Sequence, residues 1–116
     1  MLNIVTSSRY KINRKLIKTK GDELMKKYNI HSNAVLNIIF VGKKKMKSIA
    51  AKYKNEDVAL PVLSFSYLDN PNKNEAVIGE VIICYPQAIL LAAEREKRVD
   101  DMLMKLITHG VENILK

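Results

Sequence analysis

Apolar residues recur along the chain at two spacings, one typical of helices and one typical of strands. A spacing of three and four residues predicts amphipathic helices over residues 12–28 and 46–53. Short runs rich in β-branched and aromatic side chains predict strands instead. These runs cover residues 1–6, 34–41, 61–67 and 77–85.

The second half of the chain adds a hairpin and two helices. A polar turn cluster at residues 69–74 separates the last two predicted strands by a short link, so they are expected to pair antiparallel. Pro86 suits the first position of a helix that continues to Lys97, and Asp100 and Asp101 suit the start of a final apolar helix. The order β-α-β-α-β-β-α-α predicts a small α+β sandwich with about four strands in a mixed sheet, and residues 1–116 as one domain.

Charge is distributed unevenly between the two halves. The net charge is +8, and residues 1–56 contribute +11 while residues 57–116 contribute −3. A basic half attracts polyanions, of which RNA is the first candidate and DNA or an acidic membrane are others. The alternative is a solvated surface without a ligand.

The chain lacks the features of a membrane or exported protein. No apolar run reaches the roughly 18 residues of a membrane span, and the N-terminus has no pattern of a signal peptide. The lone Cys84 cannot form an internal disulfide, which favours a buried thiol in a reducing cytoplasm. We therefore expect a cytoplasmic protein that does not enter membranes.

Four segments, in order, carry a resemblance to a known family. They are Ile38-Ile39-Phe40-Val41 with the helix that follows it, Val62-Leu63-Ser64-Phe65, Ile78-Gly79-Glu80-Val81-Ile82-Ile83, and Leu106-Ile107-Thr108-His109-Gly110. Together they resemble the YbeY family of zinc-dependent, single-strand-specific endoribonucleases that mature ribosomal RNA. The resemblance implies a metal-dependent hydrolase acting on RNA, with zinc as cofactor, and with the ribosome or ribosomal proteins as further partners.

The metal site implied by the resemblance is eroded in this sequence. His109 and Asn113 stand where the family helix has its first two histidines, and the segment with the third is absent. The chain has two histidines in all, so a three-histidine site within one chain is excluded by count. His109 thus has three interpretations. It is a relic of the metal site without metal, it joins Asn113, Glu112 and water around a weakly held divalent ion, or it forms a hydrogen bond within a packed helix pair. The resemblance implies zinc as the cofactor, and the alternative is that the protein has no cofactor.

Two further residues are catalytic candidates by the resemblance. Lys54 falls where the family has an arginine, and it keeps the positive charge but loses the planar fork that grips phosphate. Glu80 stands where the family has an aspartate. It is interpreted either as a general base or supporting group near His109, or as a surface residue on an edge strand.

A run of lysines gives the clearest candidate RNA contact. Lys43, Lys44, Lys45 and Lys47 are expected at a helix start, where positive charge opposes the helix dipole and a docked phosphate would offset the cost. With Lys54 they form the predicted RNA-binding set, against the alternative of a solvated charge run. The five tyrosines are scattered and form no stacking motif.

These features leave two functions open. One is a YbeY-like endoribonuclease in ribosomal RNA maturation or ribosome quality control, with an eroded metal site. The other is a non-catalytic RNA- or ribosome-binding factor that keeps the fold.

Overall fold

In the computed structural model, residues 2–30, 33–67 and 77–116 are described, and they form four strands and four helices. The predicted turn at residues 69–74 and His31 lie outside the described residues. The elements are β1 (Leu2–Val5), α1 (Arg14–Lys27), β2 (Val35–Val41), α2 (Lys43–Lys54), β3 (Val62–Ser66), β4 (Val77–Cys84), α3 (Tyr85–Glu94) and α4 (Val99–Leu115).

The strands form one mixed sheet in the order β1-β2-β4-β3. β1, β2 and β4 are parallel to one another, and β3 pairs antiparallel with β4. This confirms the predicted α+β fold, the four-stranded mixed sheet and the antiparallel hairpin. β4 is an internal strand, while β1 and β3 form the two edges.

Local chemistry explains where the helices begin and end. Asn13 accepts a hydrogen bond from the Leu16 backbone N–H at 3.0 Å, so α1 begins just after it rather than at residue 12. α3 begins at Tyr85, one residue before the predicted Pro86, and ends three residues before Lys97. It ends early because Glu96 adopts a left-handed φ of 52°.

The main core lies between the sheet and the helices α1 and α4. One face of the sheet supplies Leu36, Ile38, Val81 and Ile83, all of which are fully buried. α4 covers this face with a stripe of apolar residues at helical spacing. The stripe consists of Leu103, Ile107, Val111 and Ile114.

The opposite face of the sheet is covered by α2 over part of its area. Met46 and Ala50 of α2 are fully buried against Leu63, Ile82 and Cys84. The predicted burial of the Cys84 thiol is thereby confirmed. β1 lies beyond this cover, where Asn3 and Val5 are exposed on the α2 face. This face therefore holds both a small apolar layer and an open surface.

α4 approaches the sheet closely at two glycines. A Cβ atom on Gly110 would lie 2.6 Å from Val81 Cγ1, and a Cβ on Gly79 would lie 2.9 Å from Ile114 Cδ1. Both distances are shorter than the van der Waals contact of two carbon atoms. The helix therefore packs so close to β4 that only glycine fits at these two positions. None of the helices in residues 2–30, 33–67 and 77–116 is both long and apolar enough to cross a membrane.

We expect Gly110→Val to destabilise the fold by about 2 kcal/mol through overpacking against Val81. Lys105→Val is the matched control, because Lys105 is exposed on the same helix and reports the propensity cost of a β-branched residue alone. Urea unfolding followed by circular dichroism measures both. Equal losses in the two variants would contradict the close contact.

Candidate nucleic-acid interface

His109 and Asn113 lie one helical turn apart on the solvent-exposed flank of α4. The nearest polar atoms of the pair, His109 Nε2 and Asn113 Nδ2, are 3.4 Å apart. Gly110, next to His109, packs against Val81 and Val62, so this flank faces the β3 edge of the sheet. The other flank of α4 faces α1.

The donors present on this flank do not fit a catalytic zinc site. Such a site takes three protein ligands from imidazole, thiolate or carboxylate groups, and an asparagine amide is neutral and a poor substitute. Within residues 2–30, 33–67 and 77–116, no three side chains of these types come together. The described residues therefore do not by themselves provide the zinc site that the resemblance implies.

Glu80 projects from the opposite face of the sheet to the one that carries α4. Its neighbours Gly79 and Val81 in β4 both contact α4, and side chains alternate between the two faces of a strand. Glu80 is partly buried on the α2 face. This placement corrects the interpretation of Glu80 as an edge-strand position, because β4 is an internal strand.

A chain of polar side chains crosses the sheet and ends on the Glu80 carboxylate. Asn3 Nδ2 donates to Asn37 Oδ1 at 3.1 Å, and Asn37 Nδ2 lies 3.4 Å from Glu80 Oε2. The Tyr67 hydroxyl donates to Glu80 Oε1 from the other side. The register pairs Asn3 with Asn37 and Asn37 with Glu80, so strand pairing itself aligns the row. The carboxylate is held in one orientation as a result.

The Glu80 carboxylate opens into a groove of about 580 Å³ between α2 and the sheet. We call it the Glu80 groove. Its walls combine lysines, aromatic rings and apolar side chains with a single carboxylate. The lining residues are Lys45, Ser48, Ile49, Lys52, Tyr53, Phe65, Tyr67, Glu80 and Ile82.

A second groove, of about 760 Å³, lies at the start of α2. This N-terminal groove is lined by Ser7, Arg9, Tyr10, Phe40, Val41, Gly42, Lys43, Lys44, Lys45 and Ser48. It shares Lys45 and Ser48 with the Glu80 groove, so the two run along the same helix.

The predicted position of the lysine run at a helix start is confirmed. Lys43, Lys44 and Lys45 occupy the first turn of α2, and the capping residue Gly42 offers no side chain to the free backbone N–H groups. All three lysines line the N-terminal groove. Lys47 instead lies 3.8 Å from the Asp57 carboxylate in an exposed ion pair, which contributes little to stability.

Lys54 lies in the last turn of α2 with its side chain exposed. In the described part of the chain, no hydrogen bond or ion pair joins it to Glu80 or His109. The four residues singled out by the resemblance are thus distributed over three places. Lys54 lies at the end of α2, Glu80 on the α2 face of the sheet, and His109 and Asn113 on the exposed flank of α4.

Several residues in the groove, or hydrogen-bonded to Glu80 beside it, escaped the sequence analysis. Asn37 carried a signal, since it interrupts an otherwise apolar run in β2. Tyr53 and Tyr67 carried none, because they are scattered in sequence and meet only through the pairing of α2 with the sheet. The Tyr53 ring packs edge-on against Phe65, with centroids 5.3 Å apart.

A hydrogen bond joins α1 to the flank of α4 that faces it. The Tyr28 hydroxyl at the end of α1 donates to Glu112 Oε2 at 2.9 Å. This bond, aided by Lys116 and Lys27, lowers the pKa of Glu112 against the opposing effect of desolvation, and it raises the pKa of Tyr28. It ties α1 to the helix that carries His109.

Comparison with known proteins places this chain in a family. A family profile described as "Endoribonuclease YbeY" matches residues 4–115. A relative named endoribonuclease YbeY from Thermodesulfovibrio yellowstonii is 32% identical over 86% of this chain and 64% of its own length. Another of that name from Dehalococcoides mccartyi is 30% identical over 98% of this chain and 78% of its own.

A solved structure has the same fold. The solution structure of a Thermotoga maritima protein superposes with a TM-score of 0.67 at 24% identity. It covers the whole of this chain and 73% of the other. The chain thus spans roughly two thirds to four fifths of the length of these relatives.

We expect Tyr28→Phe to lower the free energy of unfolding at about pH 7, and we expect this loss to shrink as the pH falls below about 4, the ordinary pKa of a glutamate. A carboxyl with a lowered pKa stabilises the fold above its ordinary pKa, and that contribution is lost as the pH falls through the folded value. Urea midpoints of both proteins at each pH measure the difference. Tyr85→Phe is the control, because Tyr85 donates to the neutral Lys11 carbonyl and its loss should not depend on acid pH. A Tyr28→Phe effect that is equally large in acid would contradict the assignment.

Proposed function

This chain belongs to the endoribonuclease YbeY family, and on that premise we propose that it cleaves single-stranded RNA in ribosomal RNA maturation. The observation that carries the proposal is the family match over residues 4–115 on a chain with the corresponding fold. We further propose that it works in the cytoplasm, with the ribosome or ribosomal proteins as partners.

The surface of α2 supports RNA as the ligand. Lysines of the first turn border the N-terminal groove, and Lys45 and Lys52 border the Glu80 groove. Cations beside aromatic rings are the usual combination in proteins that bind single strands. We propose that Lys43, Lys44, Lys45, Lys47 and Lys54 contact the phosphate backbone.

The residues proposed to serve cleavage are Lys54 and His109. The exposed Lys54 ammonium attracts a phosphate without fixing its orientation, since a point charge lacks the paired geometry of a guanidinium. His109 and Asn113 mark the position of the family's metal helix. If zinc takes part, this chain alone supplies too few of the usual ligands within its described residues.

The lack of two of the three expected histidines favours a second function, which is RNA binding without cleavage. A member that keeps the fold and the lysines but lacks two of the three histidines would bind RNA without cutting it. In this alternative the chain is an RNA- or ribosome-associated factor, and His109 is an exposed helix residue.

We expect the purified protein to cleave single-stranded RNA but not a matched duplex. His109→Ala should lower the cleavage rate at least about tenfold, a conservative figure for a side chain that takes part in proton transfer. Gel analysis of a labelled ribosomal RNA fragment, with and without added zinc, measures the rate. Zinc content after gel filtration is determined on the same sample.

Lys105→Ala on the exposed side of the same helix is the control and should cleave normally. Binding without cleavage under every metal condition would overturn the nuclease and leave the non-catalytic factor. Cleavage that is undiminished in His109→Ala would show that another site or a contaminant is responsible.

We expect the combined change of Lys43, Lys44, Lys45 and Lys47 to glutamine to weaken RNA binding and flatten its salt dependence. Each lost phosphate contact lowers the slope of log K against log salt by about 0.7 for a single strand. Fluorescence anisotropy over a range of salt concentrations measures the slope. The control changes Lys15, Lys18, Lys26 and Lys27 of α1 to glutamine, with the same loss of charge on the other side of the sheet. Equal slopes in both variants would remove α2 from the RNA surface.

A further inference from the structure

The Glu80 carboxylate retains unused acceptor capacity where it faces the groove. Tyr67 donates to one oxygen and Asn37 to the other, while a carboxylate accepts about four hydrogen bonds. No lysine or arginine of the described residues forms an ion pair with it. A partly buried carboxylate held by neutral donors gains from a ligand that brings further N–H groups.

The walls of the Glu80 groove suit a flat aromatic ligand. Tyr53 is 57% exposed, although its ring packs edge-on against Phe65. Ile49 and Ile82 add apolar surface to the lining of the groove. A volume of about 580 Å³ is ample for a nucleobase with its sugar.

The rim of the groove suits a phosphate backbone. Lys45 and Lys52 lie on its α2 side, and Lys45 continues into the N-terminal groove with Lys43 and Lys44. A strand that follows these lysines along α2 would pass its bases over the aromatic wall. Duplex RNA cannot present a base in this way, because its bases remain stacked and paired.

From this geometry we propose that the Glu80 groove binds one unstacked guanine of single-stranded RNA, with the Glu80 carboxylate accepting from guanine N1–H and N2–H. Guanine alone among the four bases has two adjacent donors on its pairing edge, which match the two carboxylate oxygens. Adenine and cytosine place a ring acceptor beside their amino group, and uracil flanks its N–H with two carbonyls. Tyr67 and Asn37 are positioning residues that orient the carboxylate.

This inference rests on the proposed contact with RNA and adds a base preference to it. The role of Glu80 is then recognition rather than catalysis, which agrees with its position across the sheet from His109. The groove would select where along a strand the protein binds.

The test compares short fluorescent oligouridines that carry one central guanosine, inosine, adenosine or uridine. Anisotropy is measured with a chelator present, so that binding is observed without cleavage. The guanosine oligonucleotide should bind about tenfold more tightly than all-uridine, as expected for a paired contact to a base edge. The affinity of the inosine oligonucleotide, which lacks the 2-amino group, should lie between those two affinities.

Glu80→Gln should abolish the guanosine preference, because the amide replaces one acceptor with a donor. Glu94→Gln is the control for the lost negative charge, since Glu94 is exposed on α3 and outside this groove. Both variants should bind all-uridine alike. If Glu80→Gln does not fold, Tyr53→Leu at the exposed rim carries the test and should weaken guanosine binding several-fold, by about the value of one base stack.

The outcomes separate this inference from the proposed function. Wild-type protein that binds every oligonucleotide equally well overturns the guanine pocket and leaves RNA binding intact. A preference that survives in Glu80→Gln, or guanosine binding that is unchanged in Tyr53→Leu where that variant replaces it, also overturns the pocket. Failure to bind any of the four oligonucleotides overturns RNA as the ligand and the pocket with it.

Discussion

β4 has helices packed against both of its faces, and the alternation of its side chains decides what each helix meets. Gly79, Val81 and Ile83 point towards α4, while Glu80 and Ile82 point towards α2. α4 lies so close that a methyl group on Gly110 would overlap Val81. This tight packing leaves no room for a polar side chain on that face, so the strand's one carboxylate has to project to the other. The separation of Glu80 from His109 follows from the same alternation that builds the core.

The elements of the fold were predictable because each carries its own local signal. Apolar spacing gave the helices, and β-branched runs gave the strands. The polar cluster before β4 predicted the hairpin that the strand pairing confirms. Helix ends were less accurate, since the end of α3 depends on the backbone conformation of Glu96, which no sequence pattern indicates.

The arrangement of the candidate site was not predictable in the same way. Residues 37, 53, 67 and 80 meet in or beside one groove only because β2, β3 and α2 all adjoin β4. Such contacts depend on strand order and on which face each residue occupies. A one-residue difference in register would exchange the two faces of β4, and with them the surroundings of Glu80. The family resemblance singled out Glu80, but it could not indicate that Asn37 and Tyr67 would be its hydrogen-bond partners.

The position of α4 is set by packing and by a hydrogen bond, not by the flank that carries His109 and Asn113. α4 is fixed by its apolar stripe, by the glycine contact with Val81 and by the bond from Tyr28 to Glu112. The flank that carries His109 and Asn113 contributes little to this packing, since both side chains are exposed. Ligands on such a flank can change without cost to the fold, whereas the glycines cannot.

The edge strand β3 lies between the two surfaces that RNA would have to reach. The α2 grooves are on one face of the sheet, and the flank of His109 faces outward on the other, beside β3. A strand that contacts both must therefore pass around the β3 edge, from the helix layer on one face of the sheet to the helix layer on the other. A flexible single strand can follow such a bend, while a duplex is too stiff. Preference for single strands would then arise from the shape of this edge in either of the two proposed functions.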